Sequence, residues 1–198
     1  MARLILASKS PARVVLLKNA GISFEAVPAS LDERALEAPL IAGRRTPGEI
    51  ALALAEAKAI AVSRAEPAAT VIGADQTLEA DGARWTKPAS LEEARRQLQH
   101  LSGRTHALHS GVAGARNGEI AWRHLDTARL TVRKLSASFI DTYLARIGDR
   151  ALTSVGAYQI EDVGIQLFER IEGDFFTILG LPLLPLLDWL RAEGVIPS

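Results

Sequence analysis

Residues 4–13 have the sequence LILASKSPAR, in which four apolar residues are followed directly by polar residues and a proline. The apolar run Leu4–Ala7 predicts a short buried strand. Ser10 is a suitable N-cap, Pro11 suits the first helical position, and Gly21 can end the helix that begins there. The segment therefore predicts a strand that turns at once into a helix, as in the repeating units of α/β folds.

Later segments first continue this alternation and then depart from it. A capping box at Thr46–Glu49 predicts a helix to about residue 64, and Thr70–Ala74 predicts a strand with Asp75 at its end. Asn117-Gly118 is a strong hairpin signal between two long segments, 105–116 and 119–133. The remaining predictions are strands at 24–28 and 165–171, an irregular connection at 31–45, and helices at 90–103, 138–148 and 183–192. Together these features predict an α/β protein with a mixed sheet.

Composition limits the function classes that need to be considered. The 198 residues carry 23 basic and 23 acidic side chains, and 48% of the residues are hydrophobic. The balanced charge disfavours nucleic acid or an anionic membrane as a partner, and the apolar content excludes disorder. Without cysteine there is no disulfide, zinc-thiolate site or thiol nucleophile. No apolar stretch is long enough for a membrane span or a signal peptide, so we expect a cytoplasmic protein of one domain or two tightly packed lobes.

The strand-to-helix turn carries the first candidate site residues, Ser8 and Arg13. A helix N-terminus offers unpaired N–H groups and partial positive charge, which together favour an anion. Arg13 adds positive charge at the positive end of the helix, which a bound phosphate would turn into an advantage. The alternative is a solvated arginine beside an ordinary serine cap.

Two acidic residues are candidates for metal binding or proton transfer. Asp75 follows a predicted strand, at the position where open α/β sheets bind their ligands. An aspartate and a glutamate that meet can hold Mg²⁺, or one of them can deprotonate water. The second candidate is Glu33, but nothing in the spacing of the two residues shows that they meet. The alternative is a turn aspartate and a surface glutamate.

Lysines supply further candidates for binding phosphate. Lys58 flanks the buried face of its predicted helix, and Lys87 precedes Pro88 in an extended or turn segment. Taken singly, each is a solubilising group. A neutral chain could nevertheless gather both around one polyphosphate together with Arg13. The four histidines match no common metal-binding spacing.

Several short motifs occur in the order found in one family of hydrolases. They are LASKSPAR at 6–13, Asp32-Glu33, AKA at 57–59, GADQ at 73–76, Lys87-Pro88, LSGRTH at 101–106, GAY at 156–158 and GLP at 180–182. In this combination the chain resembles the Maf family of nucleoside triphosphate pyrophosphatases over nearly its whole length. The resemblance implies an elongated, twisted mixed sheet flanked by helices, with two lobes of a single domain (residues 1–198) around a cleft, as in inosine triphosphatases. It also implies a homodimer.

The resemblance further implies divalent-metal-dependent hydrolysis (Mg²⁺, Mn²⁺ or Co²⁺) of the α–β phosphoanhydride of a nucleotide, giving a monophosphate and pyrophosphate. Asp75 matches the family's proposed proton acceptor, and with Glu33 it matches the metal site. Other polar residues match the phosphate-binding residues of the family: Ser8, Arg13, Lys58 and Lys87. Such cations neutralise charge that builds up on phosphate oxygens.

Three positions resemble the branch of the family that acts on 7-methyl-GTP: Ala12, Gln76 and Glu161. A carboxylate such as that of Glu161 can accept from the two adjacent N–H donors of a guanine edge. Asp162, however, stands where the family usually has glycine. The alternatives are a dTTP/UTP pyrophosphatase of the same family and, in a different class, a non-enzymatic regulator of septum formation or a nucleic-acid-binding module.

Overall fold

A computed structural model describes residues 3–197. Within these residues the strands are β1 (Leu4–Ala7), β2 (Glu25–Ala26), β3 (Thr70–Ala80), β4 (Ala83–Trp85), β5 (Thr105–Arg116), β6 (Glu119–Val132) and β7 (Phe168–Glu172). The helices are α1 (Pro11–Asn19), α2 (Glu33–Ala42), α3 (Pro47–Ala65), α4 (Leu91–Leu101), α5 (Ala137–Ile147), α6 (Phe175–Ile178) and α7 (Leu183–Ala192). Short 3₁₀ turns occupy Gly148–Leu152, Val155–Ala157 and Val163–Leu167.

The strands form a mixed sheet, which confirms the predicted α/β class. Its order is β2-β1-β3-β5-β6-β7, with β4 paired to β3, so the sheet is open. β1 runs parallel to both β2 and β3, whereas β4 and β7 are antiparallel to their neighbours. Parallel pairing at one side and hairpins at the other follow from helical crossovers early in the chain and tight turns later.

Two local signals act as the sequence predicts. The Thr46 hydroxyl accepts from the Glu49 backbone N–H, and the Glu49 side chain accepts from the Thr46 N–H, which completes the capping box of α3. Asn117 and Gly118 both have positive φ, 49° and 78°, as a tight hairpin turn requires. These signals are confirmed because they depend on neighbouring residues alone.

The irregular connection predicted at residues 31–45 is wrong, because this segment contains α2. The Asp32 carboxylate caps the helix by accepting from the Ala35 N–H at 3.0 Å. None of the residues of α2 is buried, and Pro39 lies inside it. The helix therefore lacks the buried apolar face by which sequence patterns reveal helices.

The strand predicted at Thr70–Ala74 is too short, because β3 continues to Ala80. The turn at Asp81-Gly82 folds β4 back onto β3, and β4 thereby supplies hydrogen-bond partners for the second half of β3. Asp75 thus lies inside a strand and not at its end. The pairing of β1 with β3 stops at Ala7↔Gly73, however, so Asp75 still lies beyond the carboxyl end of β1.

Other boundaries shift by a few residues: β2 shortens to 25–26, β7 occupies 168–172, and α5 begins at 137 with Ser136 as its cap.

The described residues divide into two compact units. The first unit contains residues 3–76, 109–127 and 174–197, and the second contains 77–108 and 128–173. In the first, β1, α1, β3 and α7 share one apolar core that includes Leu6, Leu17, Ile72, Leu186 and Trp189. In the second, the largest fully buried side chains are Leu78, Leu98, Leu101, Leu108, Leu130, Ile140 and Leu167. The single domain over residues 1–198 remains a prediction, and residues 1, 2 and 198 lie outside the described part. Among residues 3–197, no helix has the length and apolarity needed to cross a membrane.

Candidate functional site

Ser8 lies in the turn between β1 and α1 and is buried, with 7% of its surface exposed. Its hydroxyl oxygen accepts from the Ser10 N–H at 3.2 Å and from Nη1 of Arg13 at 3.0 Å. Ser10 occupies the N-cap position of α1 as predicted, but its side chain makes no capping hydrogen bond. The hydroxyl that organises this turn therefore belongs to Ser8.

Arg13 is buried in the first turn of α1, which excludes the solvated arginine. Nε donates to the carbonyl oxygen of Gly180 at 2.8 Å, and Nη1 donates to that of Ala74 at 2.8 Å. Burial lowers the pKa of Arg13, while the negative charges of Asp75 and Glu33 oppose this effect. An arginine remains protonated under all such conditions. Arg13 is therefore a fixed positive charge held beneath the turn.

Lys58, on α3, brings the two candidate carboxylates together. Its Nζ lies 2.5 Å from Oδ1 of Asp75 and 3.0 Å from Oε1 of Glu33. The side chains of Lys58 and Asp75 are 11% and 14% exposed, whereas that of Glu33 is 51% exposed. We call these three residues the Lys58 cluster. Asp75 and Glu33 therefore both contact one ammonium group, Asp75 from inside a strand and not from a turn, and Glu33 from an exposed position.

A glycine on β3 permits this contact. A Cβ on Gly73 would lie 2.2 Å from the Ala55 carbonyl oxygen and 2.6 Å from the Ala59 nitrogen, so α3 packs directly against the strand there. Lys58 precedes Ala59 on the helix, and Asp75 lies on the same face of β3 as Gly73 because side chains alternate along a strand. The close approach of helix and strand brings the lysine within reach of the carboxylate.

Gln76 points to the opposite face of β3 and is half-buried. Its Nε2 lies 3.0 Å from the Ser110 hydroxyl oxygen, 3.1 Å from the Thr177 carbonyl oxygen and 3.0 Å from the Ile178 carbonyl oxygen. The family resemblance predicts Gln76 as a site residue, but it does not include Ser110 or Thr177. No signal near residue 76 could identify those partners, since they come from β5 and α6, 34 and 101 positions later.

The other candidates fall in different places. Ala12 is half-buried in the first turn of α1, next to Arg13. Lys87 and Glu161 belong to the second unit and are exposed, Lys87 between β4 and α4 and Glu161 between two 3₁₀ turns. Asp162 forms an ion pair with Arg150 at 2.6 Å, which lowers the pKa of its carboxyl group. Its φ of −127° is ordinary for any residue, so the loop does not require the glycine that is usual in the family.

The Lys58 cluster offers two carboxylates to a divalent cation. No group of three or more His, Cys, Asp or Glu side chains able to hold a metal occurs within residues 3–197. Mg²⁺ commonly uses one or two protein carboxylates and completes its shell with water and substrate phosphates. Asp75 and Glu33 fit that requirement, although both now contact the ammonium group of Lys58.

Comparison with known proteins gives consistent results over almost the whole chain. Residues 3–193 match the family described as Maf-like protein. A 7-methyl-GTP pyrophosphatase of Brucella abortus biovar 1 (strain 9-941) is 58% identical over 194 residues, 98% of each chain. A protein with the same name from Rhizobium meliloti (strain 1021) is 58% identical over 195 residues, again 98% of each chain.

A nucleoside triphosphate pyrophosphatase of Nitrobacter winogradskyi is 54% identical over 193 residues, 98% of this chain and 95% of that protein. Among solved structures, a HAM1 protein from Coxiella burnetii gives a TM-score of 0.42 at 17% identity, over 67% of this chain and 73% of that one. The sequence matches span the first unit with its buried Arg13 and Lys58 cluster, and the second unit with Lys87 and Glu161. The chain belongs to the Maf-like protein family.

Proposed function

We propose that this chain is a nucleoside triphosphate pyrophosphatase that acts on 7-methyl-GTP. In the reaction, water attacks the α-phosphorus, the bond to the bridging oxygen of the β-phosphate breaks, and a nucleoside monophosphate and pyrophosphate are released. The names of relatives at 52–58% identity support both the activity and the nucleotide.

The observation that carries the proposal is the Lys58 cluster beside buried Arg13. A triphosphate needs positive groups to neutralise its oxygens, and water needs a base to take its proton. Lys58 and Arg13 supply fixed cations, and the partly exposed carboxylate of Asp75 supplies the base. All of these side chains belong to the first unit.

Asp75 and Glu33 would hold a divalent cation, Mg²⁺, Mn²⁺ or Co²⁺, and this ion would add positive charge at the phosphate oxygens. Lys58 would then share the carboxylates with the ion or turn to the substrate. Ser8 orients Arg13 by accepting its hydrogen bond. Lys87 is proposed as a further phosphate-binding residue.

Base recognition is assigned to Ala12, Gln76 and Glu161. Ala12 leaves space in the first turn of α1, and Glu161 offers an exposed carboxylate that can accept from the N–H donors of guanine. A methylated guanine carries positive charge, which a carboxylate also favours. A dTTP/UTP pyrophosphatase would instead need hydrogen-bond donors on the protein, to match the carbonyl oxygens of the pyrimidine base.

A panel of nucleotides tests the proposal directly. The protein is incubated with 7-methyl-GTP, GTP, dTTP and UTP, each with Mg²⁺, Mn²⁺, Co²⁺ or excess chelator, and pyrophosphate and orthophosphate are measured separately. We expect metal-dependent release of pyrophosphate, fastest from 7-methyl-GTP. Release of orthophosphate would contradict the bond assignment, and protein that is inert but binds RNA would favour the non-enzymatic alternative.

We also propose that the protein works as a homodimer in the cytoplasm. The family resemblance supports the homodimer. Light scattering on the purified chain, with and without nucleotide, measures the mass of the assembly, and a monomer under both conditions would contradict the dimer.

A further inference from the structure

The side-chain amide of Gln76 is fixed in one orientation by its partners. Two of the three are main-chain carbonyl oxygens of α6, those of Thr177 and Ile178, which can only accept. The third is the hydroxyl of Ser110, which donates its own hydrogen to the Thr177 carbonyl oxygen at 2.7 Å and therefore accepts from Gln76. The amide nitrogen must face all three.

Ser110 completes a closed set of hydrogen bonds among three groups: its own hydroxyl, the Gln76 amide and the Thr177 carbonyl. Its hydroxyl is fully buried, with no exposed surface, and connects β5 to both the amide of Gln76 and the carbonyl of Thr177. A rotated amide would place Oε1 against carbonyl oxygens and leave buried groups without partners, which is costly. With the nitrogen engaged, the oxygen is the atom that Gln76 can offer to a ligand.

We propose that Ser110 is a positioning residue for nucleotide discrimination, because it helps to hold Gln76 in the orientation that the carbonyl groups of Thr177 and Ile178 impose, with the amide oxygen and not the amide nitrogen available to the base. This inference rests on the proposed function. An acceptor at this position favours bases that present N–H donors, as the guanine edge does. Uracil and thymine present one N–H between two carbonyl oxygens, so a fixed acceptor suits them less well. Ser110 thus acts on the base through Gln76 and does not contact the substrate.

The test compares Ser110→Ala with a matched control, Ser63→Ala. Ser63 is also fully buried in the first unit, but its hydroxyl accepts from the Gly118 N–H, away from Gln76. The measured quantity is the ratio of kcat/KM for 7-methyl-GTP to that for UTP. We expect Ser110→Ala to lower this ratio about fivefold, the effect of one lost hydrogen bond, and Ser63→Ala to leave it unchanged.

A double-mutant cycle separates positioning from a general effect on the fold. In a Gln76→Ala background the substitution Ser110→Ala should not change the ratio further, because the amide through which it acts is absent. Additive effects in the cycle, or an unchanged ratio in the single variant, would overturn the inference.

A second measurement does not depend on activity. In protein labelled with ¹⁵N, the side-chain amide protons of Gln76, assigned by their loss in Gln76→Ala, should exchange with solvent faster in Ser110→Ala than in the parent or in Ser63→Ala. Equal exchange would overturn the positioning role. If the parent protein releases no pyrophosphate, the proposed function and the discrimination role both fail, while the exchange result still decides whether Ser110 holds the amide.

Discussion

The two units differ in the kind of polar side chain that each buries. In the first unit, the buried ammonium group of Lys58 lies 2.5 Å from the Asp75 carboxylate, so each charge is compensated by the other. In the second unit, His106 is 2% exposed and its Nε2 lies 2.6 Å from the Tyr158 hydroxyl. Burial lowers the pKa of His106 to about 4, so this side chain is neutral at pH 7. The first unit thus holds an ion pair in its interior, whereas the second holds a neutral histidine.

The surroundings explain the difference. The ring of His106 packs near the rings of Tyr158 and Phe168, and its Nδ1 is buried without a partner. Burial at this position disfavours the charged form of the imidazole. In the Lys58 cluster, by contrast, Glu33 is half exposed and connects the buried charges to solvent. An ion-pair cluster that reaches solvent can contact a polyphosphate, whereas the His106–Tyr158 pair is buried.

The largest effect is expected from removing the charge of Asp75. Asp75→Asn keeps the shape of the side chain but removes the base, and we expect kcat to fall by about 10²-fold or more while nucleotide binding is largely retained. Steady-state kinetics on 7-methyl-GTP, combined with calorimetric binding, measures both quantities. Asp188→Asn, at an exposed position on α7, is the matched control. Hydrolysis at the parent rate in Asp75→Asn would show that Asp75 is not the base.

The neutral histidine gives the next largest effect, on stability. Since the pKa of His106 is about 4 in the folded protein and about 6.5 when unfolded, the unfolded chain binds more protons between these values. The free energy of unfolding should therefore contain a contribution of about 3 kcal/mol that is fully present above pH 6.5 and is lost as the pH falls towards 4.

Urea titrations between pH 4 and 7.5 measure this dependence. His106→Phe removes the titrating group and should flatten the curve relative to the parent. Gln97→Leu, at another buried polar residue of the second unit, removes no titrating group and should keep the parent slope. Parallel curves for the parent and His106→Phe would mean that His106 is not held neutral by the fold.

The smallest effect is expected from removing the charge of Glu33, and it allows the two carboxylates of the Lys58 cluster to be compared. Glu33 is 51% exposed, so solvent screens its interaction with Lys58 much more than it screens that of Asp75. We expect Glu33→Gln to reduce kcat/KM by less than about tenfold and to raise the metal concentration needed for half-maximal activity. A loss as large as that of Asp75→Asn would mean that exposure does not rank the two carboxylates.

Local signals predicted much of the fold because they act between near neighbours. The capping box at Thr46 and Glu49 and the turn at Asn117-Gly118 require only residues a few positions apart. The helix α2 was missed because its apolar residues are not buried, so no periodic pattern marks it. The full length of β3 was missed because β4, a separate segment, completes its hydrogen bonding.

For the candidate site, the sequence supplied the residue types. The family motifs predicted Ser8, Arg13, Lys58 and Asp75 as members of one site. The sequence could not show that Lys58 contacts both Asp75 and Glu33, because that contact depends on how closely α3 packs against Gly73. The tertiary structure alone decided this contact, because it joins atoms from segments far apart in the chain, and only packing sets the distance between such segments.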